Sequence, residues 1–167
     1  MPAHPEGFQL DPKTNQIFVN VPRAKKIVVL DGISGKSTAA WPMKESGANF
    51  PMALDEDAQR ILVAFRTPGR LSVFSARDGE SVASVALCGD ADDLFVDAKR
   101  ARVYVSCGEG VLEVFDARAA GYPRLARIPT ARGARTSYYV PSIDRLFLAV
   151  RAAASEPPAV WVYKPVP

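Results

Sequence analysis

The densest chemistry in the chain is the segment GDADD, which places Asp90, Asp92 and Asp93 within four residues. Carboxylates that close repel one another unless a cation, an arginine or water intervenes. A hard cation such as calcium takes six to eight oxygen ligands, and Glu6, Asn49, Asp92 and Asp93 would supply a set of that kind. Arg135, followed by Thr136 and Ser137, offers a rival answer: its planar guanidinium can neutralise the cluster or clamp an anionic ligand. A third reading is plainer, with the aspartates accepting backbone N–H groups in turns. His4 is the single histidine and stands almost at the terminus, where a general base is poorly fixed, so Ser-His-Asp and Cys-His mechanisms are not expected. No catalytic residue is assigned, and His4 reads as a polar residue near the same mouth as Glu6.

Two other motifs carry less. Gly32, Gly35, Lys36 and Ser37 approach a phosphate-binding loop, but Leu30 occupies the position of its first glycine and Pro42 follows soon after. The equivalent turn from Ser75 to Glu80 has no Lys-Ser pair, so a hairpin turn is expected. Cys88 and Cys107 lack CxxC spacing and read as two small buried thiols, with a disulfide as the alternative in an oxidising compartment.

Composition sets the outer bounds. A 167-residue chain that is 48% hydrophobic can bury a sizeable core. Its 21 basic and 18 acidic residues are dispersed, leaving +3, which gives no reason to expect nucleic acid or membrane as a partner. The amino terminus, MPAHPEGF, has neither the positive nor the apolar region of an export signal.

The elements that must position these groups are short β-rich runs recurring at a fixed interval. Asp11 and Asp55 stand 44 residues apart, as do Phe18 and Leu62, and Asp55 and Asp97 stand 42 apart. The runs IFVNV, IVVLD, ILVAF and VYVS are β-branched and punctuated by Gly and Pro, which excludes a helical solenoid. Four strands per period of 40–45 residues is the arithmetic of a propeller blade. The expected fold is therefore an all-β propeller of four four-stranded antiparallel blades, about 4–43, 48–87, 89–129 and 131–165, with the last blade lacking its outermost strand. Segments preceding each innermost strand would converge at one face, bringing His4, Glu6, Asn49, Asp90, Asp92, Asp93, Arg135 and Thr136 to a common rim. Trp41 and Trp161 are expected in inter-blade packing, and the turn from Lys99 to Arg102 as a solvated loop.

These strands and the turns of the DxxxGK kind that follow them resemble YVTN-type β-propeller repeat proteins. The segments HPEGFQLD, NFPMALD, GDADDLFVD and GARTS also resemble the carboxy-terminal blades of a bacterial YVTN subgroup. Longer relatives commonly have about seven blades and are often exported, which implies a periplasmic or secreted setting for them. Three arrangements follow: four blades of a longer ring, two chains joining open blade edges into eight blades, or four blades closing alone. The expected function is a noncatalytic module binding a small molecule, peptide or protein at the rim. The alternatives are a calcium-dependent hydrolase resembling the lactonase propellers, and a propeller fragment without independent activity.

Overall fold

The computed structural model describes residues 3–43, 49–153 and 157–166, without the side chains of Asn49 and Phe50. Its strands form four antiparallel meanders in chain order. Blade 1 comprises β1 (Phe8–Asp11), β2 (Gln16–Val21), β3 (Lys26–Asp31) and β4 (Ser37–Pro42). Blade 2 comprises β5 (Asn49–Asp55), β6 (Arg60–Arg66), β7 (Gly69–Ser75) and β8 (Ser81–Ala86). Blade 3 comprises β9 (Ala91–Asp97), β10 (Arg102–Cys107), β11 (Val111–Asp116) and β12 (Arg124–Pro129). Blade 4 has three strands among the described residues: β13 (Ser137–Val140), β14 (Arg145–Val150) and β15 (Ala159–Tyr163). The expected all-β, four-blade architecture is what the chain builds.

The recurring aspartate has a local cause. Asp11, Asp55 and Asp97 end the first strand of their blades, and each carboxylate accepts N–H groups of the turn that follows, from Lys13 at 2.9 Å, Ala58 at 3.0 Å and Arg100 at 3.3 Å. Each turn closes on a left-handed residue, Asn15, Gln59 or Ala101, with φ of 56°, 51° and 50°. Blade 4 replaces the capping aspartate with a short 3-10 turn, Pro141–Ile143, and ends on left-handed Asp144. The GISGK stretch is a hairpin turn held by Asp31, which accepts the Ser34 N–H at 2.7 Å.

Alternation along the central strands sends apolar side chains to both faces of each sheet. Phe18, Ile27, Val29 and Trp41 of blade 1 bury against Met52, Ile61, Val63, Phe65 and Phe74 of blade 2. The opposite face of blade 2, with Leu62, Ala64, Leu71 and Val73, meets Leu94, Val103, Val105 and Phe115 of blade 3. Tyr104, Leu112 and Val114 then meet Tyr139 and Leu146 of blade 4. The two end faces are only partly covered: at one end Phe8 and Leu10 are 65% and 55% exposed beside Val19, Val21 and Val28, which bury with Ala3 and Ala24, and at the other Tyr138, Val160 and Val162 are 65%, 62% and 55% exposed. Among the described residues no apolar cluster joins blade 4 to blade 1, so the four blades form an open arc.

Three expectations need correction. Cys88 and Cys107 are joined in a disulfide, Cα atoms 6.0 Å apart, because the β9–β10 hairpin returns Cys107 beside the start of blade 3. Trp41 packs between blades against Phe18, with ring centroids 5.6 Å apart, but Trp161 on β15 remains 37% exposed. An apolar cleft of about 260 Å³ lies between blades 3 and 4, lined by Leu125, Ile128, Leu146 and Tyr163. The third lies at the turn expected to be solvated, Lys99 to Arg102, where the Arg100 side chain is only 13% exposed.

Breaking the disulfide frees a loop of 19 residues, so reduction should lower unfolding stability by about 3 kcal/mol. Urea unfolding with and without reductant measures this, and an unchanged midpoint would contradict it.

Candidate binding rim at the blade entrances

The rim forms where blades 2, 3 and 4 bring their polar ends together. Arg66, at the end of β6, donates through Nε to the Ala91 carbonyl at 2.7 Å and through its terminal nitrogen to Asp92. Arg135 approaches from blade 4 and pairs with Asp90, with its Nε 3.5 Å from Asp92. Asp90 in turn lies 3.5 Å from Arg66 Nε, so two guanidiniums bracket two carboxylates contributed by a third segment. Asp93, beside Asp92, accepts the Ser137 N–H at 2.6 Å. Ser106 ties the same corner, with its hydroxyl on the Arg135 carbonyl at 3.0 Å and 2.5 Å from the Ser137 hydroxyl. Thr136 is exposed, and its carbonyl accepts the Ala149 N–H.

Blade 3's entrance is braced from beneath. Glu113, fully buried in β11, accepts the Cys88 N–H at 3.1 Å and pairs with Arg124 and Arg127 at 2.8 and 2.7 Å. Glu109 accepts the next N–H, from Gly89, at 2.7 Å, and also holds Arg127. That Gly89 hydrogen bond, assisted by Arg127, keeps the Glu109 carboxyl below its usual range. A buried carboxylate with this many donors offsets its desolvation and fixes the backbone that carries Asp90.

The structure therefore gathers Asp90, Asp92, Asp93 and Arg135 with Thr136 beside them, adds Arg66, and places His4 and Glu6 in a cleft of their own. Glu6 is exposed and sits 3.8 Å from His4, in a cleft shared with Pro22 and Arg23. The backbone of Asn49 pairs with Phe65, while its side chain lies outside the described residues. Among the described residues no group of three or more His, Cys, Asp and Glu side chains converges in a way that would hold a metal ion, so Glu6, Asp92 and Asp93 do not form one ligand set. Arg66, Glu109 and Glu113 were not among the sequence candidates. Glu113 left a signal, a charge inside the apolar run VLEVF, whereas Arg66 gave none.

Burial differs across these carboxylates. Desolvation pushes the Asp93 carboxyl up, the neighbouring Asp92 charge adds to this, and the Ser137 N–H only partly opposes it. Arg135 is held even more firmly protonated by Asp90 and Asp92.

A second network occupies the opposite ends of the hairpins. The Lys99 to Arg102 turn is not merely solvated: the Arg100 side chain is only 13% exposed and spans Asp97 at 2.9 Å and Asp144 of the next blade at 2.7 Å. Tyr104 donates to Asp97 at 2.7 Å from within the blade 3 to blade 4 core. Burial opposes ionisation of Asp97, but the Tyr104 and Arg100 hydrogen bonds outweigh it and lower its pKa. Asp144 is lowered chiefly by Arg100. Burial next to Asp97 pushes the Tyr139 hydroxyl up to about 12.

No family model and no curated protein matches the sequence. Solved structures do match in fold. Hydrazine synthase from Kuenenia stuttgartiensis superposes with a TM-score of 0.83 at 15% identity, covering 98% of this chain and 46% of that one. A chain of the mitotic checkpoint complex superposes at 0.78 with 14% identity, covering 97% and 50%. Both contain β-propellers, and this chain spans about half the length of each. At these identities the likeness shows the propeller fold alone.

The two carboxylate classes predict opposite acid responses. Asp97 and Asp144, with lowered folded pKa values, stabilise the fold above their unfolded value of about 4, and that contribution is lost as pH falls through the folded values. Arg100→Met should lower the urea midpoint at neutral pH and flatten its decline below about pH 4. Asp93, with a raised folded pKa, costs stability while ionised and relieves that cost on acidification. Asp93→Asn should therefore raise the midpoint at pH 7 and converge with the parent in acid. Parallel pH profiles for parent and variants would contradict both assignments.

Proposed function

We propose that the chain is a noncatalytic binding module of the YVTN propeller type, presenting the rim built by Asp90, Asp92, Asp93, Arg135 and Thr136 to a small molecule, peptide or protein. The observation that carries this reading is the bracketing of Asp90 and Asp92 by Arg66 and Arg135. Side chains from three blades meet there, each about a fifth to two fifths exposed, on a backbone braced by Glu109, Glu113 and the Cys88–Cys107 disulfide. Fixed, alternating charge with partial exposure favours recognition of a partner carrying complementary polar groups, because little ordering entropy remains to be lost on binding.

The calcium-dependent lactonase-like reading has weaker support. A calcium ion at Asp92 and Asp93 would have to displace guanidiniums already on Asp92, and Glu6 lies in the separate cleft with His4, Pro22 and Arg23. The disulfide also favours an oxidising compartment, in keeping with the periplasmic or secreted setting of the longer relatives it resembles.

Selection of a random peptide library on the immobilised protein tests the binding reading. Selected peptides should lose at least about tenfold affinity to Arg135→Gln and to Asp92→Asn, as expected when a paired charge at the centre of an interface is lost. Peptides whose affinity ignores both substitutions would overturn it. Millimolar calcium should leave the melting temperature unchanged; a rise that Asp92→Asn removes would favour the hydrolase instead.

A further inference from the structure

The apolar cleft between blades 3 and 4 is a site apart from the rim, since Asp90, Asp92, Asp93 and Arg135 take no part in its walls. On blade 3 its wall is one face of the sheet: Val114 stands opposite both Tyr104 and Ala126, and Leu112 opposite Ile128. The bulge at Val114 and Phe115 leaves Leu125 without a cross-strand partner, and this residue lines the cleft's exposed edge. On blade 4 the wall is Leu146 with Tyr163 opposite it. Residues 164–166 then close one side as a strap, held where Arg100 donates to the Pro165 carbonyl at 3.3 Å and Arg102 to the Val166 carbonyl at 2.5 Å.

The charge at this cleft is of one sign. Arg102 and Lys164 line it, and no acidic residue does among the described residues. Arg102 has its one hydrogen bond, to Val166, and Lys164 has none among the described residues, so neither cation is neutralised. The two carboxylates opposite Arg102 in the sheet are engaged elsewhere: Asp97 with Tyr104 and Arg100, and Asp116 with the Arg118 N–H at 2.8 Å. The Tyr163 hydroxyl, pushed up by burial alone, also has no hydrogen-bond partner among the described residues. An apolar wall beside two unpaired cations and an unpaired phenol complements a molecule that is hydrocarbon at one end and anionic at the other.

We propose that this cleft binds a straight-chain alkyl carboxylate, with the tail along Leu112, Val114, Ala126, Ile128 and Leu146 and the carboxylate at Arg102 and Lys164. Its volume of about 260 Å³ holds about nine groups of roughly 30 Å³ each, which suits a chain of about eight carbons with its head at the mouth. The walls are already in place, because Tyr104 is anchored on Asp97 and Arg100 ties Asp97, Asp144 and the strap together, so little ordering is left for binding to impose. The proposal is independent of what the rim binds.

Titration of the nitrogen-15-labelled protein with octanoate, followed by amide chemical shifts, tests it. Saturable shifts should appear in β12, β14 and residues 163–166, while amides 90–93 and 135 of the rim stay unmoved. Octanol and octylammonium should each bind about tenfold more weakly than octanoate, the loss expected when a charge-assisted hydrogen bond is absent. Combining Arg102→Gln with Lys164→Gln should weaken octanoate by about the same factor and leave octanol unchanged, the new glutamine still having an N–H for the Val166 carbonyl. Leu125→Glu alters a residue that is 51% exposed, so it should keep the fold and weaken octanoate and octanol alike. Octanoate shifts that do not saturate or that centre on the rim, octanol or octylammonium binding as tightly as octanoate, or an octanoate affinity indifferent to the paired substitution would each overturn the proposal.

Discussion

A sheet that is apolar on both faces cannot stand alone in water, and that constraint organises this molecule. β6 and β10 bury side chains on both faces, Ile61, Val63 and Phe65 toward one neighbour and Leu62 and Ala64 toward the other in the first case. Such a strand is satisfied only when another sheet stands on each side, so stability belongs to the junctions more than to the blades. Cross-strand hydrogen bonding fixes each meander, but the stacking of meanders is what buries the apolar area that offsets chain entropy.

The polar features follow from the same stacking. Placing blades side by side brings inner-strand ends together at the two faces of the arc, and each face has been given its own charge network. At one, Arg100 links Asp97 to Asp144 across the blade 3 to blade 4 junction, with Tyr104 joining that pair to the apolar core. At the other, Arg66 and Arg135 hold the carboxylates of blade 3 between blades 2 and 4. The networks differ in exposure: Asp97 is almost completely enclosed, while Asp90 is 43% exposed. The first is suited to holding a junction, and the second to meeting something from solvent.

The period and the strands were legible because they rest on local chemistry repeated at fixed spacing. An aspartate that caps a turn, a left-handed residue four positions later and a β-branched run leave the same trace in each of the first three modules. Asp90, Asp92, Asp93 and Arg135 were legible as a group once the period had aligned the segments before each inner strand. Arg66 was not, since it belongs to the far end of a second strand, which the repeat does not bring forward. Arg100 looked solvated because its turn is highly charged; its burial depends on Asp144, 44 residues away and in the one blade that departs from the aspartate turn. Glu6 shared residue type and blade position with the metal candidates, yet position around the arc separates it from Asp92. The disulfide was one of two readings, and only the return of β10 to the start of blade 3 decides between them.

Native-state hydrogen exchange tests the dependence on junctions most directly. Amides of the central strands β2, β3, β6, β7, β10 and β11 should exchange through one shared opening whose free energy equals that of global unfolding, because losing any blade uncovers its neighbours. Exchange in which each blade opens independently, with its own free energy and with neighbouring blades still protected, would contradict the account.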